Sequence, residues 1–295
     1  MSRMLDVEQL RGFRVPEAQD VCDPRSAILY ALGVGAGLGA IDERHLVFER
    51  DQAVLPTMAL VLGTPGFWPM APELGWDWPR ILHGEQTLKL VRPLELGQLV
   101  NGRIEIIGLA DKGLGKSALV RAKRVITTPT DRPIAEMEEV WVLRGAGGFG
   151  GPSNLDGPAP IVMPDAPAGA CLDLPTAANQ SMLYRLTGDR NPLHIDRGTA
   201  QAAGFDRPIL HGLATMGLVG RALIHLCCDG DPGLLTDMRV RFTAPVWPGE
   251  TVRTEIWRTG DTVWFRASVP DRNSIVIDGG EARIGGFKEE RDVLT

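Results

Sequence analysis

The chain has 295 residues, a hydrophobic content of 44% and a formal net charge of -6. This length suits one large domain or two of about 150 residues. An acidic chain without runs of like charge lacks the positive surface that nucleic acids require, so we expect no nucleic-acid partner. It has no charge-free run of about 18 apolar residues, no apolar leader and no cysteine spacing typical of metal ligands. We expect a cytoplasmic protein with free thiols and no membrane partner.

A glycine- and proline-rich stretch divides the chain. The glycine run at 145–151 is followed by closely spaced prolines, namely Pro152, Pro158, Pro160, Pro164 and Pro167. This composition is typical of a linker. We therefore predict an N-terminal half over residues 1–145, a linker over 146–170 and a C-terminal half over 171–295.

The two halves repeat each other. Three motifs recur in the same order: 29–32 with 183–186, 81–84 with 209–212, and 93–94 with 245–246. His83 lies 10 residues before its proline and His211 lies 34 before the matching one (93 minus 83, and 245 minus 211). The second half therefore contains an element that the first half lacks.

That element is a predicted helix. Residues 212–228 are apolar almost all round at helical period, which is typical of a long buried helix. Alternation with period two predicts strands elsewhere. The alternating segments are 84–92, 99–110, 116–128 and 133–144 in the first half, and 238–244, 263–269 and 275–284 in the second. We expect an α+β fold with two antiparallel sheets, one per half, and a buried helix that is shortened or missing in the first half.

The stretch before this helix carries candidate catalytic residues. Asp189 and His194 lie five residues apart in a turn-rich segment, so a carboxylate and an imidazole could share one water molecule. Asn191 between them could orient the water or the ring. Each residue alone is also compatible with a turn cap or a core histidine. The matching positions of the first half, Gly35 and Ala40, cannot exchange protons, so we expect one active site per chain.

The His211-Gly212 pair directly precedes the predicted helix. A helix start offers free backbone N–H groups that could stabilise an oxyanion, and Gly212 would allow close approach of a carbonyl group. A tight turn at Gly212 and a packed His211 fit the pattern equally well. Asp189, His194 and His211 do not have a recognised metal-ligand spacing, so we predict no metal.

These motifs resemble the hydratase 2 (MaoC-like) family of (R)-specific 2-enoyl-CoA hydratases, which have a double hotdog fold. The similarity is carried by 184–196 and 208–212 in the second half and by 82–86 and 147–151 in the first, and it extends over about 23–285. The resemblance implies a curved sheet in each half. It also implies that the first half has lost its long helix, leaving space for bulky or long acyl chains.

The resemblance also implies roles for individual residues. Asp189 and His194 would hold and activate water, Asn191 would support them, and the Gly212 N–H would polarise the thioester carbonyl. The candidates for substrate binding are His211, Glu49 and Lys112. Glu49 would match a supporting acidic residue of the family, although the loop before it is shorter here.

The implied reaction is hydration of a trans-2-enoyl-CoA to a (3R)-3-hydroxyacyl-CoA, without a cofactor, in fatty-acid or steroid side-chain β-oxidation. A homodimer is expected by resemblance. The alternatives are a hotdog acyl-CoA thioesterase, a dehydratase acting on acyl-carrier protein, and a non-enzymatic acyl-CoA-binding subunit. The sequence leaves the acyl group open among straight, branched and steroid side chains.

Overall fold

The computed structural model describes residues 4–287. Its α-helices are α1 (Val7–Gly12), α2 (Pro24–Gly33), α3 (Arg44–Val47), α4 (Gln180–Tyr184), α5 (Arg197–Ala202) and α6 (Gly212–Cys227). The strands of the first half are β1 (Ala18–Cys22), β2 (Ile81–Leu90), β3 (Gln98–Asp111), β4 (Ala118–Thr127) and β5 (Pro133–Leu143). Those of the second are β6 (Ala170–Pro175), β7 (Leu235–Phe242), β8 (Thr251–Thr259), β9 (Thr262–Val269) and β10 (Ser274–Ile284).

Within the described residues, the strands form one antiparallel sheet in the order β1-β3-β4-β5-β2-β7-β10-β9-β8-β6. From the centre outward, each half contributes its second, fifth, fourth, third and first strand. The two halves therefore fold into the same unit and meet about a pseudo-twofold axis. This symmetry confirms the duplication predicted from the repeated motifs.

The structure corrects the expectation of two separate sheets. β2 pairs with β7, from Glu85 opposite Arg241 to Lys89 opposite Asp237, so the two halves join edge to edge. Pairing these edges satisfies backbone N–H and C=O groups that two separate sheets would leave unpaired. The joined sheet places both halves against the same helix.

That helix is α6, and it confirms the long buried helix predicted over 212–228. Its central residues are buried on every side. A Cβ atom on Gly217 would lie 2.5 Å from Cγ1 of Val34, so a glycine is needed where α6 crosses the end of α2. Arg221 of α6 has no exposed side-chain surface, and its Nε donates to Glu43 of the first half at 2.8 Å. This ion pair connects the two halves inside the core.

The first half has no counterpart of α6 among its described residues, as the spacing of the repeats predicts. His83 lies in β2 itself, whereas His211 precedes α6. The chain before β2 instead forms 3-10 turns: Pro56–Val61, Trp68–Met70, Pro72–Leu74 and Trp78–Arg80. The first of these turns is buried and packs against both α6 and β2. Much of the space beside α6 is therefore filled by protein.

Residues 144–169 contain no helix or strand, but they pack across the sheet. The indole Nε1 of Trp257 donates to the carbonyl of Ala166 at 2.7 Å, and Arg239 donates to the carbonyl of Ala159 at 3.3 Å. The segment between the halves is thus tied to the second half by side-chain hydrogen bonds. Within residues 4–287 we find no helix that is both long enough and apolar enough to span a membrane.

Candidate active site

A cavity of about 190 Å³ lies at the N-terminal end of α6, between the two halves. The residues predicted to be catalytic all line it: Asp189, Asn191, His194 and Gly212. The rest of its wall is largely apolar, with Ile81 and Leu82 from the first half and Val246 and Val276 from the second. An apolar cavity with a few convergent polar groups is typical of a small-molecule site.

The turn between Asp189 and His194 is held by its own side chains. Oδ1 of Asp189 accepts the backbone N–H of Asn191 at 3.1 Å. Oδ1 of Asn191 accepts the N–H of Leu193 at 3.0 Å and so caps the 3-10 turn Pro192–His194. Asn191 thus fixes the short turn that presents His194 to the cavity.

His194 is fixed in one tautomer. Its Nδ1 lies 2.9 Å from the carbonyl oxygen of Ile209. Because a carbonyl oxygen only accepts, Nδ1 carries the proton and Nε2 keeps a free lone pair. Burial lowers the pKa of His194, and the nearby Asp189 charge opposes this shift only in part. His194 is therefore a neutral imidazole at neutral pH, with a nitrogen that can take a proton.

His211 lies against the face of His194 and does not line the cavity. The ring centroids are 3.7 Å apart with planes at 28°, and Tyr184 packs on His211 with centroids 4.8 Å apart. Nε2 of His211 lies 3.2 Å from the carbonyl oxygen of Asp189, so it donates a hydrogen bond to that residue. Burial is the main cause that lowers the pKa of His211 well below its usual value. The structure gives His211 contacts with both members of the pair instead of the substrate-binding position expected for it.

Asp189, His194 and His211 each offer one ligand atom within 4.8 Å of the others, which is close enough for a metal ion. One nitrogen of each ring already donates to a backbone carbonyl, Nδ1 of His194 to Ile209 and Nε2 of His211 to Asp189. The expectation that no metal takes part stays a prediction.

Gly212 is the first residue of α6. His211 at the N-cap position makes no side-chain capping bond within the described chain, and the Gly212 N–H has no partner there. A helix N-terminus carries a partial positive charge. An oxygen atom in the cavity could therefore accept from Gly212 next to the Asp189 and His194 side chains.

Two expected substrate-binding residues lie elsewhere. Glu49 is exposed and does not line the cavity. The acidic residue of this region that enters the core is Glu43, which pairs with Arg221. Nζ of Lys112 donates to the carbonyl of Ser153 at 2.6 Å, so this lysine holds the segment between the halves. The structure does not bring Glu49 or Lys112 to the site.

The wall also has aromatic residues that were not among the sequence candidates, and His83, Trp141 and Phe242 form one cluster of them. The ring centroid of His83 lies 4.5 Å from that of Trp141 and 5.2 Å from that of Phe242. Burial lowers the pKa of His83 to about 4, so this ring is neutral. His83 matches His211 in the sequence repeat, and this match is the signal that could have identified His83 as a site residue.

Two family models match the chain. Residues 21–145 match the MFE-2 hydratase 2 N-terminal domain, and residues 162–279 match the MaoC like domain. The chain is 41% identical over 268 residues to 3-hydroxyacyl-thioester dehydratase Y of Mycobacterium tuberculosis, covering 88% of this chain and 89% of that protein. It is 36% identical over 290 residues to the peroxisomal enoyl-CoA hydratase 2 of Arabidopsis thaliana, covering 92% and 93%.

Among solved structures, the chain is similar to a MaoC-like dehydratase from Phytophthora capsici. The TM-score is 0.82 at 30% sequence identity, covering 96% of this chain and 100% of that one. The duplicated sheet, the long helix α6 and the family-model matches of both halves therefore indicate the same family. The chain belongs to the hydratase 2 branch of the MaoC-like family and has a double hotdog fold.

Proposed function

We propose that this protein catalyses the reversible addition of water to trans-2-enoyl-CoA thioesters, with one active site per chain. The observation that carries the proposal is the juxtaposition of three groups in one apolar cavity. These groups are the Asp189 carboxylate, the neutral His194 imidazole with a free Nε2, and the unpartnered N–H of Gly212. They supply the carboxylate that orients the water, the nitrogen that exchanges its proton and the oxyanion donor that hydration of an α,β-unsaturated thioester requires.

The thioester carbonyl oxygen accepts from the Gly212 N–H at the start of α6. This hydrogen bond draws electron density from the conjugated double bond and makes C3 electrophilic. When the C3–O bond forms, negative charge moves onto the thioester oxygen as an enolate. The donor and the helix dipole stabilise that charge more than they stabilise the ground state, so they lower the barrier.

Asp189 and His194 hold the water molecule. One member of the pair takes a proton from it as its oxygen bonds to C3, and a proton is returned to C2 as the enolate collapses. The product gains one hydroxyl group and one hydrogen, and the pair returns to its starting protonation state. Because His194 is neutral with Nε2 unprotonated, it can accept the proton of the water, while Asp189 orients the water.

The names of the relatives support this chemistry. One relative is named a 3-hydroxyacyl-thioester dehydratase and another an enoyl-CoA hydratase, which are the two directions of one equilibrium. We extend the proposal to a (3R) product, to a reaction without cofactor and to a place in fatty-acid or steroid side-chain β-oxidation. A homodimeric, cytoplasmic protein remains our expectation.

The test is hydration of trans-2-butenoyl-CoA by the purified protein, followed as loss of enoyl absorbance with chiral analysis of the product. We expect the (3R) alcohol to form. Asp189→Asn and His194→Gln should each lower kcat by about 10²–10⁴-fold, the range typical of acid-base residues. Full activity in either variant would overturn the site assignment.

A matched control uses the exposed His225 near the other end of α6. His225→Gln changes the same residue type on the same helix and should leave kcat unchanged. A thiol reagent added to the same assay distinguishes a hydratase from a thioesterase. Release of CoA thiol would identify a thioesterase, whereas a hydratase changes the enoyl absorbance alone.

A further inference from the structure

The first half closes one end of the catalytic cavity with aromatic side chains. Phe67, His83 and Trp141 line this end, and Phe242 faces them from the second half. The ring of Phe67 meets that of Trp141 nearly at right angles, with centroids 5.3 Å apart. The ring of His83 also contacts Trp141, with centroids 4.5 Å apart. Rings at these distances are in contact. An acyl chain that extends from the Gly212 end therefore meets a continuous wall.

One carboxylate holds this wall in place. The indole Nε1 of Trp141 donates to Oε1 of Glu139 at 2.9 Å, and the indole Nε1 of Trp68 donates to the same oxygen at 2.7 Å. Both indoles are at least nine-tenths buried. A buried indole N–H without an acceptor would be unsatisfied, so each ring is constrained to point at Glu139.

A charged recess lies behind the wall. It has a volume of about 40 Å³ and is lined by Arg124 and Glu139. It shares Phe67, Trp141, Leu213 and the carboxylate residue Asp189 with the catalytic cavity. Nη2 of Arg124 donates to the carbonyl of Leu60 at 2.7 Å, while its Nε has no partner in the described chain. A hydrocarbon chain that entered the recess would remove water from a cation and a carboxylate without replacing its hydrogen bonds, which is unfavourable.

The catalytic cavity is also small. Its volume of about 190 Å³ lies below the roughly 300–1,000 Å³ typical of small-molecule sites. The buried 3-10 turn Pro56–Val61 packs against α6 and β2, and its Leu60 and Val61 line the recess. Protein therefore backs the wall on the side of the first half.

We propose that Glu139, by clamping Trp68 and Trp141, closes the acyl end of the cavity and restricts the enzyme to short- and medium-chain 2-enoyl thioesters. The inference rests on the proposed hydratase function and narrows its substrate class. Glu139 is a positioning residue, since it acts on the substrate through the indole of Trp141.

The first part of the test measures kcat/KM of the unmodified protein for trans-2-butenoyl-, octenoyl-, dodecenoyl- and hexadecenoyl-CoA. We expect dodecenoyl-CoA to be at least about tenfold poorer than octenoyl-CoA, because misfit of even one methylene in an apolar pocket costs about 10- to 200-fold. Equal efficiency with octenoyl- and dodecenoyl-CoA would overturn the inference and leave the proposed function standing. Hydration of none of the four would instead overturn the proposed function.

The second part of the test removes the hydrogen bonds that hold the aromatic wall. Glu139→Leu removes the acceptor of both indoles, so the ratio of kcat/KM for dodecenoyl- to butenoyl-CoA should rise by about tenfold or more. Glu139→Gln keeps an acceptor oxygen and should preserve the ratio of the unmodified protein. Glu138→Leu, one residue away on the opposite face of β5, is the matched control and should also preserve it. Trp141→Leu opens the wall directly and should raise the ratio even if Glu139→Leu does not fold.

The ratio separates a positioning role from a general structural one. A fall in activity of Glu139→Leu that is equal for all chain lengths would show that the residue only supports folding, and would contradict the inference. An unchanged ratio in a folded Trp141→Leu variant would contradict it as well.

Discussion

The imidazole of His194 stacks on that of His211 with ring centroids 3.7 Å apart. His211 is the N-cap residue of α6, so the start of this helix supports the proposed proton-transfer residue. The same His211 donates to the backbone carbonyl of Asp189. One side chain therefore sets the relative position of both catalytic groups and of the helix start that carries the oxyanion donor. Several consequences of this arrangement can be measured.

Replacing His211 should slow chemistry more than it weakens binding. His211→Ala removes the ring behind His194 and the hydrogen bond to Asp189, but it leaves the cavity wall intact. Because misplacement of a catalytic group by about 1 Å can cost 10²-fold, we expect kcat to fall by about 10- to 100-fold with little change in KM. Steady-state kinetics with butenoyl-CoA measures both parameters. An increase in KM alone would show that His211 binds substrate directly.

Gly212→Ala should separate activity from stability. The new Cβ would lie 3.4 Å from the ring of Phe242, at the edge of ordinary contact, and would project beside the free N–H. Since alanine suits a helix better than glycine does, the free energy of unfolding should change by less than about 1 kcal/mol. We expect kcat/KM to fall at least about tenfold, because the methyl group obstructs approach of the thioester oxygen. Thermal melting and kinetics of one preparation decide between this outcome and simple unfolding.

The buried ion pair between Glu43 and Arg221 should be costly to break from either side. Arg221 also donates to the carbonyl of Val34 at 2.8 Å, so its guanidinium is held by the first half at several points. Glu43→Leu or Arg221→Met alone leaves one charge buried without a partner and should cost about 3–5 kcal/mol. The double variant should cost less than the sum of the two. Urea unfolding measures each value, and strict additivity would show that the two charges are not coupled.

Stability should fall as the medium becomes acidic. Burial lowers the pKa of His83, His194 and His211, so the folded protein keeps these rings neutral while the unfolded chain protonates them below its usual pKa of about 6.5. The unfolded state then binds more protons, so the free energy of unfolding decreases as the pH falls below about 6.5. Above about pH 6.5 both states keep these rings neutral, and this loss of stability is absent. For His83, whose pKa in the folded protein is about 4, we expect a loss of about 2 kcal/mol at about pH 5.

Urea unfolding between about pH 8 and about pH 5 measures this dependence. His83→Leu removes one of the three titrating rings and should reduce the slope. A free energy of unfolding that rises on acidification through this range would contradict the assignment of neutral buried histidines.

Features encoded locally were predictable from the sequence. The apolar periodicity of 212–228 predicted α6 within a residue of its end, and the alternating segments of the first half lie within a few residues of β2 to β5. β8 and the short edge strands β1 and β6 were not predicted, and the two edge strands carry too little alternation to be identified. The join of β2 to β7 could not be predicted, because a strand pattern shows which face is buried but not which edge is paired.

The site was predictable where its residues are close in sequence. Asp189, Asn191 and His194 belong to one turn, and Gly212 follows from the helix start. The Glu139 clamp was not predicted, since it joins residues 71 positions apart. Trp76, which precedes β2, packs on Trp68 with centroids 5.7 Å apart, and the indole in the cavity wall is that of Trp141.

The central claim is that Asp189 and His194 together add water to an enoyl thioester. The most direct measurement is kcat for trans-2-butenoyl-CoA in Asp189→Asn, His194→Gln and the double variant, each shown to be folded by circular dichroism. Residues that act as one unit are not additive, so each single variant should lose about as much as the double, roughly 10²–10⁴-fold. Hydration that persists at the unmodified rate in either single variant would contradict the account.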